Sequence, residues 1–266
     1  LDIITIPNGD DGLISLNHLE QSINTRTKLI ALTHIASQRG DIQPATSVGE
    51  IARKHSVLFL LDACQSVGQI NLDTQEINCD FLCGSGRKYL RGPRGTGILF
   101  VKNKTLKVLE PIFIDLHSAN WKDFESYEFV KSARMFECWE RNVAAMIGLA
   151  TAVEYLSNLG IDAVENRIKQ LSSSLTAGLS ELKDITLFEK STFHSGIVTF
   201  TKSSIDATDL KDRLKKVNIN ISVCKQKNAR LDLGKECTGD VNRASLHYYN
   251  TEQEITRFLQ ELKKLK

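Results

Sequence analysis

Apolar positions along the chain fall into short β-branched or leucine-rich runs, separated by stretches in which they recur at helical spacing. Asp2 to Pro7 is a β-branched run that predicts a strand, ended by the turn cluster Pro7-Asn8-Gly9-Asp10-Asp11-Gly12. Ser15 then predicts a helix N-cap, because Leu16, Leu19 and Ile23 follow at helical spacing. Leu29 to His34, Val57 to Asp62 and Phe81 to Gly84 predict strands, with a helix over Thr46 to His55 between the first two. Strands alternating with helices define an α/β layer around a mainly parallel sheet. The link from Lys88 to the apolar run Gly97 to Val101 is too short for a crossover, so that strand is expected to run antiparallel to its neighbours.

Asn142 to Leu182 predicts helix with a break at Leu159-Gly160, and Leu171, Leu175, Leu179 and Leu182 line one face of it. Strand Gly196 to Phe200, helix Asp206 to Val217, strands Ile219 to Val223 and Ala244 to Tyr249, and helix Thr251 to Leu265 follow. That mixture with short links predicts a smaller α+β domain, with the boundary near residue 155: 1–155 for the large domain and 156–266 for the small one. The sequence has no internal repeats.

At 266 residues and 41% hydrophobic content there is ample apolar sequence for a core. A formal net charge of +2 argues against a nucleic acid or a membrane surface as the main partner, and no apolar run approaches the length of a membrane span. Lys263-Lys264-Leu265-Lys266 reads as the solvated end of a helix, where cations suit the dipole. The six cysteines show no metal-ligand spacing, so no metal is expected, and reduced thiols in a cytoplasmic protein are the expectation. The chain begins at Leu1 and runs directly into the first apolar run, which reads as a fragment or a processed product.

Two stretches carry chemistry. Asp62-Ala63-Cys64-Gln65-Ser66-Val67-Gly68 follows one predicted strand. Ser85-Gly86-Arg87-Lys88, followed by Gly92-Pro93-Arg94-Gly95-Thr96-Gly97, closes the next. A carboxylate and a lysine at neighbouring strand ends meet at the carboxyl edge of a parallel sheet, where ligands bind. A lysine there can form a Schiff base with an aldehyde, and the aspartate can hold a pyridinium nitrogen protonated. Those are the two protein groups that pyridoxal 5'-phosphate (PLP) needs to act as an electron sink. Asp-x-x-Gln by itself reads equally as a strand end followed by a turn.

The order and spacing of these residues resemble the class V aminotransferases, a group that includes cysteine desulfurases, selenocysteine lyases, isopenicillin-N epimerase-like and hercynylcysteine sulfoxide lyase-like proteins. The resemblance implies a PLP-dependent transferase of fold type I, in which a mainly parallel large domain is joined to a smaller α+β domain. It implies Lys88 as the Schiff-base lysine, Asp62 at the pyridine nitrogen, Gln65 at the phenolic oxygen, and Ser85 and Arg87 at the cofactor phosphate. The run Asn242-Arg243-Ala244-Ser245-Leu246-His247-Tyr248-Tyr249-Asn250-Thr251 is a second match, and by it Arg243 clamps the substrate α-carboxylate. In Thr33-His34-Ile35-Ala36-Ser37-Gln38-Arg39-Gly40, the resemblance puts Ser37 and Gln38 at the substrate, while His34 reads as structural. An amino-acid substrate and a homodimer are implied as well. The likeness covers essentially the whole chain but only the back part of the family's fold. The segment that supplies the glycine-rich phosphate turn and the ring stacked on the pyridine lies before it, so weak PLP binding or none is expected of this stretch alone.

The departures from the family pattern bear on the reaction. Arg87 stands where desulfurases have histidine, and Arg91 is an extra residue between the lysine and Gly92-Pro93. Arg91 reads as a surface charge or as a substrate contact, and Arg94 reads as surface. Glu140 replaces a threonine that desulfurases lend to the partner subunit's phosphate site, and Trp139 reads as core packing at a helix start. Cys224 falls too early to be the desulfurase nucleophile, and Cys237 lies in a different context. C–S lyase chemistry on a cysteine derivative is therefore the first expectation, with transamination next and desulfurase or epimerase chemistry as further alternatives. From another class, the chain reads as a truncated non-catalytic remnant or a dimerisation subunit.

Overall fold

The computed structural model describes residues 1–192, 194–231, 233 and 239–265. Ser15 caps α1 (Leu16–Ser22), its hydroxyl accepting from the His18 amide at 3.3 Å. The chain then builds β1 (Leu29–Thr33), α2 (Ala45–Lys54), β2 (Leu58–Asp62), α3 (Thr74–Ile77), β3 (Phe81–Ser85) and β4 (Gly97–Val101). The sheet order is β1-β2-β3-β4; the first three strands are parallel, and β4 is antiparallel to β3 as its short link requires. Ile30 and Leu32, Phe59 and Leu61, and Leu82 face inward with period two, and Val48 and Ala52 of α2 belong to the same core. Register sets Thr33 beside Asp62 and Asp62 beside Cys83, so the three parallel strands end together.

After α4 (Asn103–Leu106) come the hairpin β5 (Ala119–Trp121) and β6 (Tyr127–Phe129), then α5 (Val143–Leu159) and α6 (Ile161–Ser180). The predicted break between the two helices falls at Gly160, whose φ of 81° is a left-handed conformation that glycine adopts without steric cost. The second sheet is antiparallel in the order β7-β8-β10-β9, from β7 (Ile185–Leu187), β8 (Ile197–Lys202), β9 (Ser222–Cys224) and β10 (Val241–Ser245). Its helices are α6, α7 (Ala207–Lys216) and α8 (Glu252–Lys264). Leu171, Leu175 and Leu179 meet Phe200, Leu210, Leu214 and Leu262 in its core. Each fully buried leucine contributes about 1.5–3 kcal/mol.

Three predicted strands differ from the structure. Asp2 to Pro7 forms no strand: Ile3 and Ile4 are exposed, and nothing among the described residues pairs with the run before the single bridge of Asn8 to Ile14. The strand predicted over Ala244 to Tyr249 is Val241–Ser245. The chain leaves the sheet at Leu246 because the Asn250 side chain accepts from the His247 amide at 2.8 Å and pulls residues 247–250 into a turn. The strand predicted over Ile219 to Val223 pairs only at Ser222–Cys224.

Candidate active site

The chain turns sharply after β2 because Asp62 makes it do so. Its Oδ1 accepts from the Cys64 amide at 2.9 Å, and the Ala63 carbonyl then accepts from the amides of Ser66 (3.0 Å) and Val67 (2.9 Å). The turn ends at Gly68, with φ of 91°. A Cβ there would lie 2.7 Å from both the Leu90 nitrogen and the Tyr89 carbonyl carbon, so the backbone of this turn lies directly against the turn that carries Lys88. The second turn leaves β3 at Ser85 and is closed by Arg91 N–H donating to the Lys88 carbonyl (2.9 Å) and Gly92 N–H to the Gly86 carbonyl (2.7 Å).

Asp62 is half-buried at its strand end, with the Cys83 thiol 4.0 Å from Oδ1. Burial, reinforced by the Asp62 carboxylate, pushes the Cys64 thiol up to about 11, while the Lys88 ammonium works against that rise. The two charges of the predicted pair thus act on the same thiol. No lysine or arginine among the described residues forms an ion pair with Asp62. The carboxyl atoms of Asp62 and the thiols of Cys64 and Cys83 do lie within 4.8 Å of one another, a grouping that their sequence spacing did not predict.

From the other domain, β10 brings Arg243 over these turns. A cleft of about 200 Å³ is lined by Gln65, Lys88 and Tyr89 on one side and by Arg243, His247 and Tyr249 on the other. The Arg243 guanidinium donates through Nη1 to the Ser37 carbonyl, and its buried Nε has no protein partner. The His247 ring is stacked on Tyr89 (centroids 5.1 Å apart, planes at 25°) and on Tyr249 (4.5 Å, 13°). Its Nδ1 accepts from the Tyr248 amide at 3.0 Å, which assigns the ring proton to Nε2. Burial, with the nearby Arg91 charge adding to it, lowers the His247 pKa to about 4, so the ring is neutral near pH 7.

Gln65, Lys88 and Arg243, predicted from separate motifs, therefore face one cleft. Neither Ser37 nor Gln38 lines it: the Ser37 carbonyl accepts from Arg243, and Gln38 is half-buried with an Oε1 that has no partner. Ser85 is half-buried at the end of β3, and Arg87 is exposed in the lysine turn; neither lines the cleft, nor does Asp62. Tyr89, His247 and Tyr249 were not singled out from sequence, although two of them lie inside the second motif. Cys224 is buried with Phe188 and Val241, and burial raises its thiol pKa; Cys237 lies outside the described residues. Trp139, read as core, is 62% exposed, with its amide held by Asp115 at 2.6 Å. Glu140 and Arg94 are exposed.

The donor set fits PLP at three points: a carboxylate at the end of β2 with no basic partner among the described residues, a lysine facing the cleft, and a buried guanidinium nitrogen left without a partner. A parallel sheet whose carboxyl edge faces a smaller α+β domain across this cleft is the layout of the PLP-dependent enzymes of fold type I. The profile of the family described as Aminotransferase class-V matches residues 1–258, and the chain belongs to that family. A probable cysteine desulfurase of Halalkalibacterium halodurans is 29% identical over 98% of this chain and 64% of its own length. The apo structure of a cysteine desulfurase from Thermococcus onnurineus NA1 superposes with a TM-score of 0.90 at 27% identity, over 97% of this chain and 64% of that one. The cystine C–S lyase C-DES, solved with its reaction product cysteine persulfide, shares the fold at a TM-score of 0.82 and 23% identity, over 97% of this chain and 65% of that one. The chain thus spans somewhat less than two thirds of the length of these proteins.

Proposed function

We propose that the chain carries most of a PLP site and that its protein cleaves a carbon–sulfur bond in an amino acid derived from cysteine. The observation that carries this reading is the convergence of Gln65, Lys88 and Arg243 on one cleft while the Cys224 thiol is turned into the small-domain core. Bound PLP would supply an electron sink for the pair left on the substrate Cα. Lys88 would hold the cofactor, and its Nζ would accept the substrate Cα proton. Asp62, at the end of β2 outside the cleft lining, would keep the pyridine nitrogen protonated, and Gln65 would donate its side-chain amide to the phenolic oxygen. Ser85 and Arg87, which lie outside the cleft lining, would hold the phosphate, the arginine fork suiting an anion. Arg243 binds the substrate carboxylate, with Ser37 and Gln38 beside it, and so fixes which Cα bond faces the reacting plane.

With the Cα proton on Lys88, the sulfur leaves from Cβ and no protein thiolate is required. For cystine, one water enters, and pyruvate, ammonia and cysteine persulfide leave. The desulfurase reading is favoured by the names of the relatives, and it needs an exposed reactive thiolate that Cys224 does not offer. A homodimer is supported by the outward apolar side chains of α5, where Val143 and Ile147 are 60% and 63% exposed. The test is to supply the full-length protein with PLP and cystine and to measure pyruvate and ammonia, with the cofactor site mapped by borohydride reduction. The expected result is a pyridoxyl label on Lys88, and pyruvate release that survives joint replacement Cys224→Ser and Cys237→Ser. Loss of activity in that pair with cofactor still bound would establish a desulfurase. Conversion of the cofactor to its amine form without pyruvate would establish transamination, and no label at all would leave a non-catalytic remnant.

A further inference from the structure

Arg91 follows Lys88 by three residues and has no role in the site as described. Its φ of 61° is left-handed, a conformation that a residue with a Cβ holds only where its surroundings fix it. The guanidinium carbon lies 5.5 Å from the ring centroid of Tyr155, 5.7 Å from that of Tyr248 and 5.5 Å from that of Tyr249. Nη1 donates to the Tyr248 hydroxyl at 2.5 Å. No carboxylate forms an ion pair with Arg91 among the described residues, so three aromatic faces and one hydroxyl are what hold the cation. Tyr248 and Tyr249 belong to the turn that leaves β10 four residues after Arg243. On the other side of Lys88, Tyr89 stacks on His247 of the same turn.

We propose that Arg91 is a positioning residue for Lys88: gripped by Tyr155, Tyr248 and Tyr249, it locks the lysine turn to the segment that leaves the Arg243 strand. The amine and the carboxylate clamp then hold one spacing, although they come from different domains. This assignment of Arg91 deepens the proposed function, since it takes Lys88 as the reacting amine. A planar fork that stacks and donates at once suits the place; lysine would keep the charge and lose the stacking.

The test uses the full chain without cofactor, so that it stands apart from PLP uptake. Hydrogen exchange of amides 86–92 and the pH profile of Lys88 acetylation by acetic anhydride, with Lys54 as internal control, are compared in Arg91→Asn, Tyr248→Phe and Arg91→Lys. Asparagine tolerates the left-handed backbone, so Arg91→Asn removes the grip and spares the conformation. Exchange at 86–92 is expected to rise about tenfold or more in Arg91→Asn, with a smaller rise in Tyr248→Phe and partial recovery in Arg91→Lys. The Lys88 profile should shift in Tyr248→Phe as well, where no charge has changed. Unaltered exchange in both Arg91→Asn and Tyr248→Phe would overturn the proposal. So would a loosened turn with an unaltered Lys88 profile, which makes Arg91 a structural staple only. Failure of borohydride labelling at Lys88 in the full-length protein is a separate result that removes the cofactor reading and leaves these two measurements standing.

Discussion

Lowering the pH from about 7 to about 5 should destabilise the fold through His34, the strand-end histidine beside Asp62. It is 6% exposed; its amide donates to the Asp62 carbonyl at 3.0 Å, its carbonyl accepts from the Gln43 amide at 2.9 Å, and its Nδ1 has no partner. Burial lowers its pKa from the ordinary 6.5 to about 4. Between those two values the unfolded chain binds a proton that the folded chain refuses, so stability is complete above the unfolded pKa and drains away as pH falls toward the folded one. At about 1.36 kcal/mol per pH unit, the loss is about 2 kcal/mol at pH 5 and about 3 kcal/mol in all by the time the folded ring protonates. Urea unfolding followed by circular dichroism at both pH values, for the unmodified chain and for His34→Gln, isolates this contribution because His247 titrates alike in both. The unmodified chain should lose about 2 kcal/mol more than the variant. Equal losses, or an NMR titration of His34 with its midpoint near 6.5, would refute the reasoning.

Gly68→Ala should lower the melting temperature by much more than Gly95→Ala. Both glycines have left-handed φ (91° and 80°), but a Cβ at 68 meets the Tyr89–Leu90 backbone at 2.7 Å and one at 95 meets nothing within 4 Å. The difference between the two melts measures the close approach of the two turns, and equal melts would mean that they do not touch. Arg243→Ala in the active protein should raise KM for the amino acid about ten- to hundredfold, as expected for a charged hydrogen bond of about 1.5–3 kcal/mol, and leave the cofactor absorbance unchanged. Unchanged KM would remove Arg243 from the substrate site.

The large-domain sheet was legible because its strands are buried on the inward face and its links have lengths that permit only one sense of connection. Phe59 and Leu61 sit on β2 at period two, and eight residues between Lys88 and Gly97 leave no room for a crossover helix. β10 was misplaced for the opposite reason. Its inward positions include Asn242, fully buried, whose Nδ2 donates to the Ala207 carbonyl at 2.7 Å. A polar residue inside a strand is satisfied there by a tertiary partner that no local pattern reveals. Val241, Asn242 and Arg243 therefore lie outside the predicted strand, which extends instead to the exposed Tyr249. The aromatic wall has the same origin: Tyr89 and His247 stand 158 positions apart in sequence, and only the packing of the two domains makes them neighbours.

How the two halves of the site are kept together follows from a short run of buried hydrogen bonds. The Gln69 side chain, 1% exposed, donates from Nε2 to the Gln65 carbonyl at 2.5 Å and accepts at Oε1 from the Gly196 amide at 3.0 Å. The Gly196 carbonyl in turn accepts from the Leu246 amide at 2.6 Å, one residue past the end of the Arg243 strand. Asp41 of the large domain likewise accepts from the amides of Lys190 (3.1 Å) and Ser191 (2.8 Å) in the small domain. Each of these groups, left buried without its partner, costs about 1–3 kcal/mol, so sliding one domain over the other would forfeit several at once. The two large apolar cores are separate, joined by a small cluster in which Tyr89 packs with Val164 and Ile168, and the directional bonds fix the register across it. Polar groups near the cleft thus help to fix Arg243 opposite Lys88, and Gln69 is the buried link between the Gln65 turn and the Gly196–Leu246 pair.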